Sequence, residues 1–110
     1  MNDLVKVPYK KYFKDDMVAV LYSPAYGAGW YTWNTEHEGL IFDQDIVEAI
    51  LYGNTDKAVE IATQRYDGAY LGGADDLAVC WLPIGTRFRI DEYDGYESVV
   101  LLDREQYLIA

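Results

Sequence analysis

The sequence has one cysteine, one histidine and three prolines among 110 residues, and each scarcity excludes something. A single thiol, Cys80, cannot close an internal disulfide, which fits a reducing compartment rather than an oxidising one. Its surroundings, Leu77-Ala78-Val79-Cys80-Trp81-Leu82, read as a packed apolar strand, not a reactive site. The lone His37, between Glu36 and Glu38, cannot build a histidine–glutamate zinc motif, and no cysteine cluster or calcium loop accompanies it. No apolar run approaches the roughly 18 residues that a membrane span requires, and the N-terminus lacks an apolar signal segment. No membrane partner and an intracellular site follow as expectations.

Basic residues are also few: nine Lys and Arg against nineteen Asp and Glu, a net charge of −10. The imbalance is uneven. Met1–Lys14 carries four lysines against Asp3, a net of +3, and the remainder carries five basic against eighteen acidic residues, a net of −13. Direct nucleic-acid binding is thereby excluded as an expectation, because phosphate contacts need a basic surface. An acidic body instead stays soluble or competes with nucleic acid for a basic partner.

What is plentiful is apolar and aromatic: 51% hydrophobic residues, with 11 Tyr, 3 Trp and 3 Phe. That suffices for one globular domain over residues 1–110, with 1–16 as a basic-aromatic arm or edge strand. So many rings leave apolar surface that a homo-oligomer would cover. Met17–Ser23 reads as a buried strand, and Gly39–Phe42 as a short extended piece. Asp43 is a good helix N-cap, with Ile46, Val47, Ile50 and Leu51 on one face of the helix it starts. Asn54 or Thr55 caps a second helix through about Tyr66, burying Ala58, Ile61 and Ala62. Strands then follow at Leu77–Leu82, Arg87–Asp91 and Ser98–Leu102. The expected fold class is α+β: a mainly antiparallel sheet of about four strands carrying two consecutive helices on one face. The two-helix segment is long enough for Met17–Ser23 to lie parallel to a C-terminal strand.

Two stretches can carry function. Ser23-Pro24-Ala25-Tyr26-Gly27-Ala28-Gly29-Trp30-Tyr31-Thr32-Trp33-Asn34 is a loop built from glycines and rings. Trp30, Trp33 or Tyr31 offers a stacking surface, Asn34 can read a base edge, and the Gly27–Gly29 amides can form an anion-binding nest. The alternative is that the tryptophans close one end of the core. No Gly-Lys-Ser/Thr follows, and Trp-Tyr-Thr-Trp stands where a dinucleotide fold needs a helix start, so the common phosphate-loop signatures are absent. The second stretch is Glu92-Tyr93-Asp94-Gly95-Tyr96-Glu97. Asp94-Gly95 is a two-residue hairpin turn, which sets Glu92 opposite Glu97 on the face shared by Phe88, Ile90, Val99 and Leu101. Facing like charges repel, so basic side chains, the loop's backbone amides, a proton or a ligand should offset them. No nucleophile or metal partner is evident, so neither catalysis nor a cofactor is expected.

Together, Gly27-Ala28-Gly29-Trp30-Tyr31-Thr32-Trp33-Asn34 and the Glu92–Glu97 hairpin resemble a family of small proteins of tailed bacteriophages, over roughly Val18 to Val100. In that family, glycine usually stands at the place of Ala25. The resemblance implies a phage origin and the host bacterial cytoplasm, and brings no activity with it. Two binding functions against host defence are therefore expected. The first is sequestration of a nucleotide-like ligand by Tyr26, Gly27, Gly29, Trp30, Trp33, Asn34, Glu92 and Glu97. The second is a protein–protein inhibitor, in which Asp45, Glu48, Asp56 and Glu60 on the helices imitate nucleic acid toward a basic host protein.

Overall fold

Met17–Tyr22 (β2) lies at the centre of the molecule because its alternate side chains are all apolar and both of its faces are covered. The computed structural model describes residues 7–25 and 29–102. β2 pairs antiparallel with the two-residue strand Phe13–Lys14 (β1) on one side and with Ala78–Pro83 (β3) on the other. Phe88–Tyr93 (β4) and Tyr96–Leu101 (β5) form a separate antiparallel hairpin. Between the sheets in sequence come Gly39–Phe42 (α1), Gln44–Leu51 (α2) and Thr55–Arg65 (α3).

The architecture is α+β, built in three layers. Ala19 and Leu21 of β2, with Val79 and Trp81 of β3, pack against Ile46, Val47, Ala58, Ile61 and Ala62 of α2 and α3. Val18 and Val20, with Cys80 and Leu82, face the other way, toward Ile41, Phe42 and the hairpin residues Phe88, Ile90, Val99 and Leu101. Strands covered on both faces read as continuous apolar runs, which explains both Met17–Tyr22 and Leu77–Leu82. The helices cover one face, as expected, while the five strands divide into two sheets. The hairpin leaves the main sheet because β2 and β3 need apolar cover on their second face.

Two expectations are corrected. β2 runs antiparallel to β3, with Tyr22 opposite Ala78. One helical crossover would give a parallel strand; α2 and α3 make two antiparallel passes, and so return the chain to the end where β2 finished. Gly39–Phe42 is a turn of helix, not an extended piece. Leu40 enters the helix-side core while Ile41 and Phe42 enter the hairpin-side core, and a helical turn can point neighbouring residues in such different directions.

The caps follow the sequence. The Asp43 side chain accepts from the Asp45 N–H at 3.0 Å, and Asn54 accepts from Lys57 N–H at 3.1 Å. Residues 7–14 lie against the body: Tyr9 stacks on Phe42, and Phe13 pairs with Val18 as an edge strand. Cys80 is half-buried, and burial pushes its thiol pKa up. No helix among the described residues is long and apolar enough to cross a membrane.

Candidate functional site

The hairpin forms with the register that Asp94-Gly95 dictates. Tyr93 faces Tyr96, Glu92 faces Glu97, Ile90 faces Val99 and Phe88 faces Leu101. Asp94 and Gly95 have φ of 51° and 89°, the left-handed pair that a type I′ turn needs. The two facing glutamates then part ways. Glu92, exposed, accepts the Gly95 N–H of its own turn at 2.6 Å. Glu97 is 2% exposed and turns inward to the aromatic-glycine loop.

There Glu97 holds four donors. Oε1 accepts Ser23 N–H at 2.9 Å. Oε2 accepts Trp30 N–H at 2.9 Å, Thr32 N–H at 2.8 Å and the Thr32 hydroxyl at 2.7 Å. Its own backbone N–H donates to the Ser23 carbonyl at 2.8 Å. A carboxylate held by several N–H groups is a strong, charge-assisted clamp. Of the offsets foreseen for the facing carboxylates, the loop's backbone amides serve Glu97, while Glu92 uses an amide of its own turn that was not foreseen. Ser23 Oγ, fully buried beside this clamp, has no hydrogen-bond partner among the described residues.

The loop's own rings and amide divide sharply. Trp30 has no exposed surface, and its indole N–H donates to the Leu40 carbonyl at 2.6 Å. The Asn34 amide donates to the carbonyls of Trp30 and Tyr70 at 2.6 and 2.8 Å, and accepts Tyr70 N–H at 2.7 Å. Neither presents a face or an edge to a base, which corrects the roles expected of them. Trp33 is different: it is 49% exposed and stacks on Tyr70, itself 50% exposed, at 5.2 Å and 23°. Gly29 is buried beneath the Trp33 indole, where a Cβ would collide with the ring. Tyr26 and Gly27 lie outside the described residues.

Elsewhere on the surface, α2 and α3 present Asp45, Glu48, Asp56 and Glu60, all exposed. Asp45 is engaged by Arg65 Nη2 at 2.7 Å, and Glu60 lies 3.6 Å from Lys57. An open groove of about 410 Å³ runs between the helices, lined by Asp45, Glu48, Tyr52, Lys57, Ile61 and Arg65 among others. Behind it is an ion-pair network that sequence reasoning saw only as a helix cap. Asp43, 1% exposed, accepts Arg65 Nη1 at 2.9 and 3.0 Å and the Tyr66 hydroxyl at 2.7 Å. Hydrogen bonds to Asp45 and Asp43 push the Arg65 guanidinium pKa further up. Burial, reinforced by the bond to Asp43, holds the Tyr66 phenol well above its ordinary range. Arg65 and Tyr66 sit more than twenty residues from Asp43, and no local spacing announces the contact.

No family model, curated protein or solved structure matches the chain. Among the described residues, no three His, Cys, Asp or Glu side chains are grouped to hold a metal ion. What the arrangement offers is contact: an acidic helical face on one side, and a Trp33–Tyr70 stack on a clamped loop.

Proposed function

We propose that the chain is a small non-enzymatic binding protein of a tailed bacteriophage that acts against host defence in the bacterial cytoplasm. Its acidic helical face occupies a basic, nucleic-acid-binding surface of a host nuclease or immune effector. One observation carries the reading: Glu48, Asp56 and Glu60 stand exposed on α2 and α3, while Trp30 and Asn34 of the loop are consumed internally. The net charge of −10 would speed encounter with a basic partner and make binding weaken with added salt. The phage setting is supported by the resemblance of the loop and hairpin motifs. Sequestration of a nucleotide-like ligand is the second reading, favoured by the exposed Trp33–Tyr70 stack, where a base would find an aromatic face.

Expression in bacteria that carry single nuclease-based defence systems separates the two. The wild-type chain should restore phage plating in at least one such strain. The double variant Asp56→Lys, Glu60→Lys should lose that protection, and Trp33→Ala should keep it. Asp56 lies in the first turn of α3 and Glu60 beside Lys57, so their reversal should cost about 1–2 kcal/mol, which leaves the domain folded. Protection that survives charge reversal and vanishes with Trp33→Ala would transfer the function to the loop. Protection in no strain would overturn both readings.

A further inference from the structure

The three-stranded sheet has two outer edges, and they are built differently. β1 is two residues long and carries Lys14, and short, lysine-bearing edges resist pairing with foreign strands. β3 is six residues, Ala78-Val79-Cys80-Trp81-Leu82-Pro83, without a charge. Ala78, Val79, Cys80 and Trp81 all keep some exposed surface, although both faces of the sheet are covered. The exposure therefore comes through the open edge.

The ladder shows which backbone groups point outward. Ala19 N–H bonds the Tyr12 carbonyl on the β1 side. Direction alternates along a strand, so Val18, Val20 and Tyr22 face β3, where they meet Leu82, Cys80 and Ala78. Ile84 N–H bonding the Asp16 carbonyl fits the same alternation. Val79 and Trp81 thus turn their N–H and C=O groups away from β2, and among the described residues no backbone group pairs with them. Pro83 also faces outward, but has no N–H, and its carbonyl is taken by Thr86. Proline in a sheet belongs at such an edge, and here it ends the stretch available for pairing.

We propose that β3 is a dimerisation edge, where a second copy of this chain adds its own β3 antiparallel across a two-fold axis at Cys80. The open groups are self-complementary about that point. Val79 meets the partner's Trp81 and Trp81 meets the partner's Val79, satisfying two donors and two acceptors on each copy. Aromatic and β-branched side chains are a favourable cross-strand pair. The same register brings the exposed Asp75 and Asp76 of one copy to the strand end where Lys14 of the other reaches over Trp81. Such an isologous contact closes after two copies, and so makes a dimer instead of a fibre. It joins the β1–β3 sheets into one of six strands and leaves the acidic helical face free.

Cys80 provides the direct test. At the axis it opposes the partner's Cys80 as a non-hydrogen-bonded pair, with Cα atoms about 4.5 Å apart, within reach of a disulfide. Sedimentation equilibrium of the wild-type chain should give twice the chain mass, with tighter association as salt screens the two negative bodies. Copper–phenanthroline, whose Cu(II) ions take two electrons from the paired thiols while their two protons pass to solvent, should yield a Cys80–Cys80 linked dimer that Cys80→Ser cannot form. Val79→Pro removes the outward N–H of each copy, hence two of the four new hydrogen bonds. It should weaken the dimer about thirtyfold without touching the β2–β3 ladder. A single-chain mass at every concentration would overturn the proposal, as would a dimer that Val79→Pro leaves intact and oxidation does not link. Tightening with salt is opposite in sign to binding of a basic host partner, so either inference can fail without the other.

Discussion

Replacing Glu97 with alanine should remove about 5 kcal/mol of stability, enough to leave a domain of this size largely unfolded. The carboxylate accepts three backbone N–H groups and a hydroxyl in a buried setting. Hydrogen bonds to charged groups are worth about 1.5–3 kcal/mol each, and buried donors left without an acceptor lose their hydration as well. The full sum is not reached, because water can enter the space that the side chain vacates. Glu97→Gln should cost less, about 2 kcal/mol. Its amide nitrogen replaces one oxygen and so sets a donor against a donor, either at Ser23 or at Trp30 and Thr32. Urea unfolding followed by tryptophan fluorescence measures both. A loss below about 1 kcal/mol for alanine would mean that the loop keeps its shape without the clamp.

Trp30→Ala comes second, with an expected loss of about 4 kcal/mol. A fully buried indole gives up its packing and leaves a cavity, for which large aromatic truncations cost about 3–5 kcal/mol. The Leu40 carbonyl also loses its donor. Trp33→Ala, three residues on and half-exposed, should cost no more than about 1 kcal/mol. The contrast decides what the loop's tryptophans are for. Comparable losses at the two positions would contradict the division between a core ring and a surface ring.

The register of the hairpin was legible in the sequence. Asp94-Gly95 accepts the two positive φ angles and the Phe88–Ile90 alternation selects the pairing, so the pairs from Phe88–Leu101 to Tyr93–Tyr96 on the turn's two sides could be set in advance. The inward turn expected of both glutamates holds for Glu97 alone, because Glu92 stays at the exposed turn. The helices and their caps were legible for the same reason: Asp43, Asn54 and the apolar spacing are local signals. The roles of Trp30 and Trp33 were not. In an irregular loop no period says which ring points inward, and burial was decided by Glu97, 67 residues away. The split into two sheets was hidden likewise, since a continuous apolar run shows that both faces are covered without saying by what. Asp43 read as a cap because that role is local, while its bonds to Arg65 and Tyr66 depend on how α2 and α3 pack.

The clamp gives the candidate site its character: a loop held to the hairpin is a scaffold, and recognition then falls to the exposed Trp33–Tyr70 stack or the acidic helices. Native-state hydrogen exchange of the Trp30 and Thr32 backbone amides tests this most directly. Both donate to Glu97 Oε2. Protection close to that of the β2 amides would show that the loop opens only when the whole domain unfolds. Exchange as fast as that of an unstructured chain, with β2 still protected, would contradict it and return the loop to the class of segments that open and close around a ligand.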